Sequence, residues 1–295
     1  MVPREAYKVL LYYSYSALDD PDAHAQWQTG LCDRLDLRGR IRVAREGING
    51  TVSGTADAVR QYMEQVDQLG LFPGMQWKVS PSEIGHAFPS MIVSLRDTIV
   101  NMGAKLAHNP GEYLSPAEFN EAMADEDSVL VDCRNSYEWQ IGRFEGAPCP
   151  SGRQFTDWPK EASALAGRLQ GKRVLMYCTG GIRCEMASSY LKSLGVDRVA
   201  QLHGGIHEYL KAYPDGGRFR GKNFVFDERI AIPSNDATVV GRCRVCSRSF
   251  DDYSQKRRCV HCRILVVCCD TCHDAGVPLV CGTCKHSQRD LGVNV

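Results

Sequence analysis

Apolar positions along the chain change their period twice, and the changes divide it into three stretches. From residue 7, YKVLLYYSY is strand-like, and DDPDAHAQWQTGLCDRLDL after it has helical spacing, opening on acidic residues with Pro21 near its start. RIRVA and NGTVSG read as two further strands joined by the turn-forming REGING. TADAVRQYMEQVDQLG is a second helix closed by glycine, and MQWKVS and MIVSLRDTIV complete the set. The order βαββαβ predicts a ferredoxin-like or acylphosphatase-like α+β sandwich over residues 1–108, a fold that hosts many functions.

Residues 109–217 alternate differently. NPGEY opens with a turn, Ser115-Pro116 supplies an N-cap and a first helical position, and SVLVDC is a buried strand. Val174 to Tyr177 form another buried strand, followed by a glycine-bearing loop and a helix starting near Cys184 or Glu185. LKSLGVDRVAQLHGGIHEYL then adds a helix end at Gly195, a short strand and a His203-Gly204-Gly205-Ile206 turn into a further helix. Strands alternating with helices predict an α/β, doubly wound parallel sheet. Residues 218–295 begin with the strand-like FRGKNFVFDERIAI and become cysteine-rich.

Composition narrows the class. At 295 residues and 43% hydrophobic content the chain has room for two or three globular domains. No apolar run reaches the length of a membrane span, and MVPREAYKVLLYY lacks a signal-peptide pattern, so a cytoplasmic protein without membrane contact is expected. The formal net charge of zero neither predicts nor excludes a nucleic-acid partner. Nine of the 14 cysteines lie between Cys243 and Cys284, largely as CxxC pairs, which in a reducing compartment points to metal rather than disulfides.

Chemistry concentrates on VLMYCTGGIRCEMASSYL. Cys178 ends a strand, where open parallel sheets place their ligand crevice. Thr179, Gly180, Gly181 and Ile182 form a small loop whose backbone can curl and aim several N–H groups at one point. The helix that follows adds the positive end of its dipole, and Arg183 adds a fixed cation. A free thiol ionises near 8.5, and such surroundings bring it to roughly 3.5–7.5, so Cys178 is expected as a thiolate at the mouth of a crevice. Its alternative is a buried core cysteine before a glycine turn. Six positions beyond Cys178, where a phosphate-sized loop has its arginine, stands Cys184; the arginine arrives one step earlier, and the tighter cradle suits a single sulfur held as a persulfide. Asp132 and Arg134, at the end of the neighbouring strand, are placed to brace this loop, with Glu138 either on the same rim or a plain strand cap. His203 and His207 read as structural more readily than as general bases.

Two outlying features follow. In RGRIRVAREG, strand alternation puts Arg40 and Arg42 opposite Ile41 and Val43, with Arg38 and Arg45 flanking. This basic stripe suits phosphate contacts; a solvated face balanced by Asp33, Asp36 and Glu46 is the other reading. The pairs Cys243/Cys246, Cys259/Cys262, Cys269/Cys272 and Cys281/Cys284 supply eight thiolates, enough for two structural zinc ions, in succession or cross-braced, leaving Cys268 spare. Arg242, Arg244, Arg248, Lys256, Arg257, Arg258 and Arg263 surround the first two pairs, either to meet RNA phosphates or as a solubilising surface.

EGINGTVSG, VDCRNSYEWQIGRFEGA, CTGGIRCEMAS, GGIHEYL and GKNFVFDERIAI together resemble the rhodanese-domain tRNA uridine hydroxylases, from about residue 7 to 270. The resemblance implies a rhodanese fold for residues 109–217 and oxygen-dependent formation of 5-hydroxyuridine at the tRNA wobble position. It also implies molecular oxygen as co-substrate and Cys178 as the essential cysteine; by the chemistry of the loop, its amides and Arg183 would stabilise developing charge. The alternative enzyme is a sulfurtransferase in which Cys178 cycles through a persulfide, fed by a sulfur donor or persulfide carrier and relieved by Cys184 or a small thiol. A non-catalytic rhodanese and zinc binding module is the third reading.

Overall fold

A computed structural model describes residues 7–285; residues 1–6, part of the stretch read for a signal peptide, and 286–295, the end of the third stretch, lie outside it. The described residues form two compact units, 7–101 with Phe226–Arg229, and Met102–Val225 with 230–285.

The first unit is the expected α+β sandwich. Its elements are β1 (Tyr7–Ser14), α1 (Pro21–Arg34), β2 (Arg38–Ala44), β3 (Gly47–Thr55), α2 (Ala56–Gln68), β4 (Lys78–Pro81) and β5 (Met91–Leu95). The sheet order is β4-β1-β3-β2-β5, antiparallel except for β5 alongside β2. The β2–β3 hairpin is tighter than REGING suggested: pairing continues to Ala44 and Gly47, leaving Arg45 and Glu46 as the turn, and Gly47 takes φ 143°, open to glycine alone. Asp20 caps α1 and Thr55 caps α2 through their side chains. The core includes Leu10, Leu31, Ile41, Val43, Ile48, Val52, Val59 and Val66.

The second unit holds a parallel sheet, β6-β10-β9-β7, from β6 (Glu112–Leu114), β7 (Ser128–Asp132), β9 (Arg173–Tyr177) and β10 (Val199–Leu202). Around it lie α3 (Pro116–Ala122), α4 (Ser136–Trp139), α5 (Trp158–Leu169), α6 (Ile182–Ser193) and α7 (Gly205–Ala212). Ser115 and Glu118 close a capping box on α3. A small antiparallel sheet joins β8 (Gly142–Phe144), β11 (Phe219–Phe224) and β12 (Ala231–Pro233). The strand-like FRGKNFVFDERIAI is thus two strands rather than one, turned where Val225 N–H meets the Ile230 carbonyl and Ile230 takes φ 64°. The cysteine-rich segment carries a short helix, α8 (Asp270–Asp274). No helix among the described residues is long and apolar enough to cross a membrane.

Candidate active loop and metal centres

β9 ends at Tyr177 and delivers Cys178 to the C-terminal rim of the parallel sheet. The turn out of it is sharper than glycine content alone foretold: α6 begins at Ile182, not at Cys184 or Glu185, because Gly181 at φ 105° reverses the backbone directly into the helix. Arg183 and Cys184 therefore belong to the first helical turn. Two amides at the start of α7 fix the loop from outside, Ile206 N–H to the Cys178 carbonyl (3.0 Å) and His207 N–H to the Thr179 carbonyl (3.1 Å). With those carbonyls turned outward, amides turn inward, and Gly181 N–H donates to Cys178 Sγ at 3.1 Å. Gly205 makes this closeness possible: a Cβ there would stand 2.6 Å from the Cys178 carbonyl and 2.8 Å from the Gly180 and Gly181 nitrogens.

Cys178 is only 1% exposed, so the expectation of a sulfur at an open mouth is corrected to one enclosed by its own loop. Burial by itself raises a thiol. The Cys184 thiol, the Arg183 charge and the Cys184 and Gly181 amides more than reverse it, bringing Cys178 down to about 5. Cys178 is a thiolate at neutral pH. Cys184 goes the other way, raised well above its usual value by burial and by its neighbours Cys133 and Cys178. Its Sγ lies 3.9 Å from that of Cys133, which is buried at the end of β7.

Arg183 reaches this centre already paired. Its guanidinium makes two bonds to Glu138, 2.7 Å and 2.8 Å, and one of 3.1 Å to Thr179 Oγ1. Glu138 is fully buried and also accepts the Asn135 N–H at 2.9 Å. It is the loop's main side-chain support, a role the sequence left level with a simple strand cap. Asp132 and Arg134 act one layer below. Arg134 grips Asp132 through Nε and Nη2 (2.7–3.1 Å), bonds the Gly142 carbonyl at 2.7 Å and lies 5.5 Å over the ring of Tyr177, so the pair stiffens the strand end beneath Cys178. His203 stacks edge-on with Tyr113, and His207 meets Glu208 at 3.2 Å.

In the cysteine-rich segment the structure groups Cys243, Cys246, Cys269 and Cys272 in one cluster and Cys259, Cys262, Cys281 and Cys284 in another, each with its sulfurs within 4.8 Å of one another. The pairs interleave, so of the two arrangements the cross-braced one is realised. Four sulfurs around one zinc stand about 3.8 Å apart at the usual bond length, and the Cys246–Cys269 and Cys262–Cys281 separations are 3.7 Å and 3.6 Å. Amides aim at the sulfurs as well: Cys269 N–H at Cys243 and Cys281 N–H at Cys259, both 3.4 Å. Against burial, such amides hold Cys243 and Cys259 at about 6, and this donor set fits a thiolate-bound ion. RCRVCSRSF and RCVHCRILV form matching knuckles, with Ser247 at φ 61° and Arg263 at φ 64° after the second cysteine of each. Four of the seven basic residues here serve the knuckles themselves: Arg242, Arg244, Arg257 and Arg258 donate to the carbonyls of Ser247, Val280, Cys268 and Arg263.

On β2 the arginines keep their alternation: Ile41 and Val43 are buried and Arg42 is exposed. Arg40 is partly committed, donating to the Gly39 and Ser90 carbonyls and lying 5.6 Å over the Phe88 ring.

Comparison with known proteins agrees with this layout. The chain matches the UPF0176 acylphosphatase like domain over residues 7–99, the rhodanese-like domain over 115–212 and the rhodanase C-terminal domain over 220–285. It is 44% identical, over 80% of its length and 76% of the relative's, to a protein of Listeria monocytogenes named tRNA uridine(34) hydroxylase. With one of the same name from Staphylococcus saprophyticus it shares 45% over 80% and 77%. Rhodanese-like domain-containing protein 6 of Arabidopsis thaliana is 36% identical over 99% of this chain, which spans 55% of that protein's length.

Proposed function

The chain belongs to the tRNA uridine(34) hydroxylase family, and from that premise we propose that it hydroxylates the wobble uridine of tRNA at C5, with Cys178 as nucleophile. The observation that carries the proposal is a buried sulfur that accepts the Gly181 N–H beside the Arg183 charge, surroundings that bring its ionisation down to about 5. Uracil is electrophilic at C6. Addition of the Cys178 sulfur there gives C5 the character of an enolate, able to react with molecular oxygen, and departure of the sulfur restores the ring. One oxygen atom stays on C5; reducing the other to water takes two electrons from a reductant outside this chain. Charge developing on the base is met by loop amides, with Arg183 held in place by Glu138 and Thr179. Since Cys178 is enclosed, the surrounding residues must part and the base must leave its stack to reach it.

Arg38, Arg40, Arg42 and Arg45 would grip phosphates, and two zinc ions on the clustered cysteines would hold the C-terminal segment in shape. Purified protein with Cys178→Ser should leave tRNA uridine unhydroxylated, by nucleoside mass spectrometry, while still binding tRNA. A wild-type rate in that variant would end the proposal. The single-sulfur size of the loop supports persulfide transfer as the second reading, and a thiolated in place of a hydroxylated nucleoside would select it.

A further inference from the structure

Three buried thiols meet at the C-terminal rim of the sheet, and hydroxylation uses one of them. Cys133 follows β7, Cys178 follows β9, and Cys184 sits in the first turn of α6. The middle member is Cys184: it neighbours Cys178, whose ionisation its thiol and amide favour, on one side, and its Sγ lies 3.9 Å from Cys133 Sγ on the other. All three are 2% exposed or less.

We propose that Cys184 and Cys133 form a resolving pair for oxidised Cys178, accepting its oxidation as a Cys133–Cys184 disulfide and returning Cys178 to the thiolate. This rests on the reading of Cys178 as an ionised nucleophile and not on which base it attacks. The oxidant is a hydroperoxide. Cys178 attacks the peroxide O–O bond; a sulfur–oxygen bond forms, the sulfur is oxidised by two electrons to a sulfenic acid, and the other peroxide oxygen leaves as alkoxide, or as hydroxide when the oxidant is hydrogen peroxide. Cys184 then attacks the Cys178 sulfur. The hydroxyl leaves with the Cys184 proton as water, and a Cys178–Cys184 disulfide remains. Finally Cys133 attacks the Cys184 sulfur, loses its proton to solvent and expels Cys178.

Direction comes from the cradle. In thiol–disulfide exchange the thiol that ionises more readily is the better leaving group. Here the leaving sulfur drops back among the Gly181 amide, the Arg183 charge and the helix start, whereas Cys133 is pushed up by burial. The disulfide therefore comes to rest on the two sulfurs that have no anion cradle. Enclosure favours the same outcome, because Cys184 is in contact with the sulfenic acid before a second peroxide can enter and carry it to the irreversible sulfinic acid.

The test uses the zinc-loaded 295-residue chain, treated with two equivalents of hydrogen peroxide and mapped after trypsin. Cleavage after Arg134, Arg173, Arg183 and Lys192 puts the three cysteines on three separate peptides. The expected product joins the Cys133 and Cys184 peptides and leaves Cys178 open to alkylation. In Cys133→Ser the bond should stop at Cys178–Cys184, and in Cys184→Ser Cys178 should pass to sulfinic acid. Wild-type protein whose Cys178 becomes sulfinic acid while Cys133 and Cys184 stay reduced overturns the resolving pair and leaves the nucleophile intact. Wild-type protein in which Cys133, Cys178 and Cys184 all remain unmodified thiols overturns the thiolate reading, and the resolving pair with it.

Discussion

Burial alone would keep the Cys178 proton on, and the groups that remove it are few enough to be tested singly. Arg183 is the instructive one. Deleting its charge alone leaves the Glu138 carboxylate buried without a countercharge, a defect worth about 3–5 kcal/mol that would mask any effect on the thiol. The paired change Arg183→Gln with Glu138→Gln removes both charges and keeps the shape. In it the midpoint of Cys178 ionisation, followed as the ultraviolet thiolate absorbance lost in a Cys178→Ser partner, should rise from near 5 by about a unit or more. An unmoved midpoint would assign the thiolate to the amides and Cys184 alone. The linkage has a definite sign. A thiol that ionises near 5 when folded and about 8.5 when unfolded contributes stability that grows as pH rises between those values. That stability is gone once pH falls through the lower one.

At the scale of elements, the active loop is held by its neighbours more than by itself. The start of α7 takes the carbonyls of Cys178 and Thr179, Gly205 lets that helix approach, and α4 presents Glu138 to Arg183. β2 shows the opposite economy. Alternation alone sends Ile41 and Val43 into the core and the arginines outward, so their charges can be removed with little effect on the fold. Arg40→Gln with Arg42→Gln gives up about 1 kcal/mol for the bonds of Arg40 to backbone carbonyls. Binding of tRNA should weaken, and its salt dependence flatten by about one unit of slope per lost phosphate contact. Titration at several salt concentrations measures both, and unchanged slopes would clear β2 of RNA contact.

For the whole molecule, the cysteine-rich segment and the rhodanese domain lie in one compact unit. Tyr253, beyond the first knuckle, donates to the Tyr137 carbonyl at 3.0 Å, packs on Phe224 and joins Ile141 and Val267 in a shared apolar cluster. Phe224 in turn accepts from Thr179 Oγ1 at 3.4 Å. Structural zinc contributes on the order of 10–16 kcal/mol to small thiolate folds, and this segment has little other core. Chelation should therefore expose the amides of residues 242–285 to hydrogen exchange and also loosen residues 135–138, next to Glu138. Full protection of 135–138 after chelation would show that the segment is carried without supporting the loop.

How far the residues spoke for themselves depends on range. Period-two and helical spacing, the Asp20, Thr55 and Ser115 caps and the CxxC pairs are local patterns, so the sandwich, the parallel sheet, Cys178 at a strand end and the cysteines that cluster were legible in order. Gly181 could be seen as a loop glycine, but its φ of 105° and the early start of α6 depend on where α7 stands. Arg183 pairs with a carboxylate 45 positions away, Cys184 meets a thiol 51 away, and the cysteine pairs interleave. Such partners are chosen by which strand ends share a rim and by how much buried charge must be matched there. Residue type and local spacing determine what each group is able to do; only the packed chain decides which group it does it with.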